Sequence, residues 1–349
     1  MPFAIAHKNT HFLSALRLEN RSGKIPLWLM RQAGRYLPEY RAIRSRHSFM
    51  EMVQTPKIAC EITTQPIETP PQPIRRFQFD AAILFSDILV LPDALGLGLT
   101  FEEKLGPVFK YPLKTPLDLH RIEQDTLPPC LDYIPETIEL IKNKLDVPLI
   151  GFAGAPFTVA SYMIEGGTSK NLLKTKKWVV NNPQAFKKLM EILSDLTIQY
   201  LQMQINAGVN AVQLFDTWAG ALSSSQMKEL SLPYIEKIIR AIEPSVPVIF
   251  FSKACSSFAE LIKGVNPQGI SFDINADLRR MREDMPHLAI QGNFDPDILL
   301  GSQEAIRKEA RRIVDSMQGD PGFIFNLGHG IHPETPIAAV QTLIEEVRR

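Results

Sequence analysis

Eight short apolar runs recur along the chain, each followed by a polar residue or a glycine. They are PLWLM (26–30), FDAAILFS (79–86), VPLIGFA (147–153), NAVQLF (210–215), VPVIFF (246–251), GISFD (269–273), LAIQGN (288–293) and FIFNLG (323–328). Near-continuous hydrophobicity over so few residues predicts strands covered on both faces, as in a parallel sheet. Amphipathic patterns fill most of the gaps. A long one runs through 178–208 and stops at a glycine; others cover 225–243, 258–264, 302–319 and 333–349. Eight strands alternating with helices predict an α/β fold of the (β/α)8 TIM-barrel type, with a doubly wound open sheet as the second choice. Such a barrel needs roughly 250 residues. The surplus falls in an N-terminal extension (1–25) and in long loops, chiefly 88–146, where GLGLTFEEKLGPVFKYPL (96–113) predicts a short hairpin. No linker-like stretch divides the chain, so residues 1–349 read as a single domain.

In a barrel of this kind, chemistry collects at the C-terminal ends of the strands. Those ends carry Arg31, Asp87, the GAPF turn at 154–157, Asp216 with Thr217, Lys253, Asp273, Asn293 and His329. Polar residues follow strands on any surface. More telling is the convergence of cations, carboxylates and an imidazole on one mouth.

Composition sharpens the point. The 349 residues include 38 basic and 38 acidic side chains, so there is no bulk attraction to nucleic acid or an anionic membrane, and any anion site must be local. No apolar stretch suggests a membrane span. The first residues, MPFAIAHKNTHFL, lack the features of a secretory signal. Three scattered cysteines, Cys60, Cys130 and Cys255, fit a reducing cytoplasm and exclude a CxxC module.

Each candidate has an ordinary reading beside the functional one. Arg31 and Arg35 stand four apart. If the segment is helical they share a face, and two guanidinium forks suit carboxylates or phosphates; otherwise they are a solvated pair. Gly34 allows close backbone approach, and Arg41 reads as a surface residue. Asp87 is either an N-cap or a mouth carboxylate. Tyr162, in GFAGAPFTVASYMIEGG (151–167), is core or pocket wall; the stretch meets neither nucleotide-binding fingerprint. Lys253 is a Schiff-base lysine or a partner of a carboxylate such as Asp273. His329, in NLGHG, is a presented imidazole or part of a turn, and the absence of a nearby cysteine or HExxH pattern disfavours a metal site.

PLWLMRQAGRYLPEYR (26–41), FDAAILFSDILV (79–90), GFAGAPFTVASYMIEGG, VQLFDTWAG (212–220), LAIQGNFDP and NLGHGIHPE resemble, in the same order, segments of the uroporphyrinogen decarboxylase family. The resemblance spans about residues 11–345. It implies a (β/α)8 barrel, a cytoplasmic homodimer, no metal or organic cofactor, and removal of four acetate carboxyls from uroporphyrinogen III to give coproporphyrinogen III and CO2 in haem biosynthesis. It further implies that Asp87 sits under the macrocycle and accepts its pyrrole N–H groups. Arg31 and Arg35 would bind substrate carboxylates, with Arg31 assisting proton delivery. Tyr162, Thr217 and His329 would contact carboxylates or hold the arrangement; Thr217 stands where some members have serine.

One departure is QPIETPPQPIRRF (65–77), which repeats QPI around about seven inserted residues. Lying before strand two, it is expected as a protrusion at the end of the barrel away from the site. Three rival readings remain: a corrinoid-dependent methyltransferase with zinc held by His and Cys, a Schiff-base lyase acting through Lys253, and a tetrapyrrole carrier without catalysis.

Overall fold

The computed structural model describes residues 11–69, 74–77, 79–102, 105–242, 245–253 and 255–349. In chain order its strands are β1 (Glu68–Thr69), β2 (Ile74–Arg75), β3 (Ala82–Ile83), β4 (Leu99–Glu102), β5 (Gly106–Phe109), β6 (Leu149–Gly154), β7 (Ala211–Phe215), β8 (Val248–Phe251), β9 (Gly269–Ser271), β10 (Ala289–Phe294) and β11 (Phe323–Leu327). Seven of them form one curled parallel sheet in the order β3-β6-β7-β8-β9-β10-β11.

The eighth stave is the segment at Leu27. It forms a parallel bridge to Phe325 of β11, and Phe325 N–H donates to the Pro26 carbonyl at 2.8 Å. On its other side the Asp80 N–H, just before β3, donates to the Leu27 carbonyl at 2.8 Å. Residues 26–28 thus join the two edge strands, and all eight predicted runs become staves of one ring. This stave is short because the chain turns at once: Gln32 N–H donates to the Leu29 carbonyl at 2.9 Å.

The strands are buried because both faces are covered: β6 and β10 are buried at every position. Side chains from Phe12 to Val347 share one apolar core. The predicted long helix is two, Leu173–Asn181 and Pro183–Ala207, since Pro183 cannot donate into the preceding turn. Within the N-terminal extension, helix His11–Leu16 buries Phe12, Ala15 and Leu16 at the barrel's lower end, where Leu16 lies against Gly269 at the start of β9. Residues 1–10 lie outside the described ones. As expected, 96–113 contains a hairpin, β4 paired antiparallel with β5. The repeated QPI segment forms a second one, β1 with β2, whose tip at 70–73 lies outside the described residues. Among the described residues no helix is long and apolar enough to cross a membrane.

Candidate active site

The strand ends divide into braces and groups left for a ligand. Asp216, fully buried after β7, accepts from Thr158 Oγ1 and from Ser231 Oγ, both at 2.6 Å. Thr158 Oγ1 in turn accepts from Trp218 N–H at 3.0 Å. Thr217, partly exposed, is therefore fixed between two anchored neighbours. Asp273 accepts from Ser256 N–H and Oγ and from Asn275 N–H, so the expected pairing of Asp273 with Lys253 gives way to a closed turn. Asn293 Nδ2 donates to the Asp273 and Ala276 carbonyls. These three polar residues hold the loops.

Arg31 is set by a tight turn. Gln32, fully buried, accepts from Leu29 N–H at 3.0 Å and donates to the Ala81 carbonyl at 3.1 Å. Met30 N–H donates to Asn326 Oδ1 at 2.9 Å. The turn is thus tied to both neighbouring staves and puts Arg31 at φ +65°. That left-handed conformation costs a non-glycine residue about 1–2 kcal/mol, and such strain persists where the surroundings fix it. The Arg31 stem lies on the backbone of Gly330, where a Cβ would come within 2.4 Å of Arg31 Cδ. The helix that would have put Arg31 and Arg35 on one face begins only at Pro38, so that expectation is corrected. Gly34 permits the turn: a Cβ there would stand 2.9 Å from the Arg31 carbonyl oxygen. Arg41 is more than the surface residue expected. Its Nη1 donates to the Arg35 and Tyr36 carbonyls at 3.1 and 3.2 Å and braces the loop carrying Arg35.

Asp87 owes its position to an early end of β3. Leu84 N–H still bonds the Ile150 carbonyl, but Phe85 N–H turns to Thr63 Oγ1 at 3.0 Å. Where β3 no longer reaches β6, Gln204 satisfies Phe152 N–H and C=O at 3.0 and 2.9 Å. The chain then swings to Ile88, packed where a Gly154 Cβ would be, 3.0 Å from Ile88 Cβ. Asp87 Oδ1 accepts Leu89 N–H at 2.9 Å. Oδ2 has no protein hydrogen bond among the described residues. Burial pushes the Asp87 carboxyl up to about 6, against the opposing pull of the Leu89 N–H and the Arg31 cation.

His329 follows β11. Its Nδ1 accepts Gly330 N–H at 2.6 Å, which leaves Nε2 to carry the proton of the neutral ring. Burial, then Lys253 and Arg31, push its pKa down to about 4, so it is uncharged at neutral pH. Tyr162, on helix Pro156–Glu165, packs edge-on against Trp218 with ring centroids 5.3 Å apart. Burial raises its hydroxyl pKa, and both Asp87 and Arg31 act on it electrostatically. The rings of Phe152, Phe215 and Phe251 meet edge to face across β6, β7 and β8, at 5.6 and 5.7 Å.

Arg31 thereby lies within electrostatic reach of Asp87, Tyr162 and His329, and Asp87 of Tyr162, with Thr217 next in the chain to the Trp218 that packs on Tyr162. Arg35 stands farther out and exposed. Sequence reasoning gave Trp218 and Phe215 no role, although both are aromatics at a strand end, and it placed Lys253 at a strand end without counting it among the substrate-binding residues. Arg31, Arg35 and Lys253 have no carboxylate partner among the described residues, whereas Arg76, Arg282, Arg311 and Arg348 pair with Glu39, Asp320, Glu346 and Asp80. Unpaired cations at one mouth with a partly buried carboxylate suit a polyanion that also brings N–H donors or positive charge. No group of three or more His, Cys, Asp or Glu side chains among the described residues could hold a metal. Cys255 is buried and accepts Ser252 N–H at 3.0 Å, and burial pushes its thiol pKa up, so it offers no thiolate to a zinc site.

A family model described as uroporphyrinogen decarboxylase matches residues 7–349. The uroporphyrinogen decarboxylase of Protochlamydia amoebophila is 45% identical over 344 residues, covering 97% of this chain and 92% of that protein. That of Pseudomonas syringae pv. tomato is 43% identical over 351 residues, covering 98% and 97%. Among solved structures, a methyltransferase from Methanosarcina mazei superposes with a TM-score of 0.80 over 97% of each chain at 18% identity, a likeness of fold.

Proposed function

The chain belongs to the uroporphyrinogen decarboxylase family, and from that premise we infer which groups at its barrel mouth remove the four acetate carboxyls of uroporphyrinogen III to give coproporphyrinogen III and CO2. The observation that carries this reading is the partly buried Asp87 carboxylate within reach of Arg31, at a mouth where Arg31, Arg35 and Lys253 have no carboxylate partner among the described residues.

Loss of CO2 from an acetate on a neutral pyrrole would leave a poorly stabilised carbanion. Protonating the ring first gives an electron-poor, iminium-like ring, which takes up the electron pair as the C–C bond breaks. A proton then reaches the exocyclic carbon, and the ring gives up the proton it gained. The substrate is its own electron sink, so the reaction needs no cofactor. What the protein supplies is fixed charge. Asp87, anionic above pH about 6, accepts pyrrole N–H groups and stabilises the cationic ring. Arg31 and Arg35 bind substrate carboxylates. Arg31 assists proton delivery through water, since a guanidinium is itself too weak an acid. Tyr162, Thr217 and neutral His329 donate to carboxylates. Residues 1–349 act as one domain, and the molecule works as a cytoplasmic homodimer.

The test is anaerobic incubation with uroporphyrinogen III and chromatography of the oxidised products. Heptacarboxylate through tetracarboxylate species are expected, at a rate unchanged by dialysis against a chelator; unconverted octacarboxylate sinks the reading. Sedimentation velocity at micromolar concentration decides the dimer.

A further inference from the structure

Lys253 is the strand-end cation to which the reading above gives no task. It lies two residues beyond β8, exposed at the rim. Its place is fixed from below. Asp216 N–H ties the end of β7 to the Phe251 carbonyl at 2.8 Å, and Cys255 N–H closes a turn onto the Ser252 carbonyl. Asp273, after the neighbouring strand β9, accepts from Ser256 N–H and Oγ and from Asn275 N–H instead of pairing with the lysine. No ion pair or hydrogen bond engages the Lys253 ammonium among the described residues. The ammonium lies within electrostatic reach of two groups on other staves, Arg31 and His329. Arg31 is held against the same 328–330 turn by its contact with Gly330. Two unneutralised cations therefore flank one neutral imidazole, and partial desolvation and Arg31 lower the lysine's pKa. Like charges gathered without a counter-ion are unfavourable unless a ligand supplies the anion.

We propose that Lys253 is a further substrate-binding residue, whose ammonium receives, with Arg31, a carboxylate of the substrate on the His329 side of the mouth. The proposal rests on the functional reading above. Lysine acts here as a point charge, reaching a carboxylate that the planar Arg31 fork cannot clasp alone. It also helps keep His329 neutral, so that Nε2–H serves as a donor.

The variants are Lys253→Met, which keeps the stem and removes the charge, and Lys253→Arg, which restores it. Three quantities are read: KM and kcat with uroporphyrinogen III, the Kd of oxidised uroporphyrin by fluorescence quenching, and the His329 titration midpoint by NMR of histidine-labelled protein. Lys253→Met should raise KM and Kd about tenfold, lower kcat less than that, and shift the His329 midpoint upward; Lys253→Arg should recover most of each. A folded Lys253→Met protein with wild-type KM, Kd and His329 midpoint overturns the proposal. Should the wild type leave uroporphyrinogen unconverted, the functional reading fails, and the uroporphyrin Kd of the variants still decides Lys253.

Discussion

Asp80 and Asp87 bracket the same two-residue strand, and the fold treats them oppositely. Asp80, at the lower end of β3, is buried and ion-paired to Arg348 of the last helix, and it accepts Leu27 N–H at 2.7 Å. That one carboxylate ties the first stave, the second stave and the C-terminal helix together. Asp87, at the upper end, has one oxygen without a hydrogen bond among the described residues, and Arg31, whose charge acts on it, forms no ion pair with it. Lower-end arginines behave as Arg348 does: Arg282 closes onto Asp320, which also accepts Gly322 N–H just before β11. These lower-end charges are paired within the protein, while Asp87 and Arg31 at the mouth form no ion pair among the described residues. Barrels separate stability from chemistry in this way, and here seven residues are enough to cross from one regime to the other.

The sharpest break in the comparison is Asp87→Asn. Removing a preorganised charge from the reacting ring should cut kcat about 10³-fold. The effect on stability should have the opposite sign. Burial lifts the Asp87 pKa from 3.8 to about 6, so the folded state favours the protonated acid. Holding it ionised above pH 6 costs up to about 3 kcal/mol for a shift of this size. That cost fades as pH falls through 6 toward 3.8. Asn carries no charge, so the variant should melt at pH 8 no lower than wild type. A melting point well below wild type, or near-normal turnover, breaks the assignment.

Arg348→Met tests the other end. It strands a buried carboxylate and should lower stability by about 3 kcal/mol, seen as an earlier urea midpoint. The kcat of the protein still folded should match wild type. If kcat falls with the midpoint, the two ends are not independent.

The acid limb of kcat/KM should have a midpoint near pH 6, set by Asp87, with activity lost below it. A free histidine would titrate at a similar pH, but His329 is held down at about 4. His329→Asn should therefore be slower yet keep the limb where it is. Disappearance of the limb would transfer it to the histidine.

How far the sequence reveals this division follows from what each feature depends on. The staves were legible because burial on both faces leaves few polar positions, a pattern visible residue by residue. Even the stave at Leu27, with its single bridge, announced itself as PLWLM. The polar strand ends were legible as positions but not as roles. Asp216, Asp273 and Asn293 look like Asp87 in the sequence; only their partners, Thr158, Ser231, Ser256 and Ala276, mark them as braces. The arginine helix failed because its residues can be helical locally, while tertiary bonds from Gln32 and Asn326 impose a left-handed turn at Arg31. Arg41 was invisible for a related reason, since its partners are backbone carbonyls. Arg41→Met should loosen that loop and raise KM a few-fold, by the loss of about 1 kcal/mol of hydrogen bonding; an unchanged KM would mean that Arg35 needs no brace.

The smallest effect is expected from the inserted hairpin. Glu68 pairs with Arg75 across its base, so the chain already returns to its starting point there. Ile67 is 1% exposed and belongs to the core, so a deletion must not reach it. Removing 68–74 retains Ile67 and joins it directly to Arg75, while Arg76 keeps its bidentate bond to Glu39. The segment enters β3 at the Asp80 end. Turnover and KM should match wild type within about twofold, and loop shortening should change stability by less than about 1 kcal/mol. A fall in kcat with the melting point preserved would show that the lower end of the barrel reaches the chemistry after all, and that the separation drawn between Asp80 and Asp87 is incomplete.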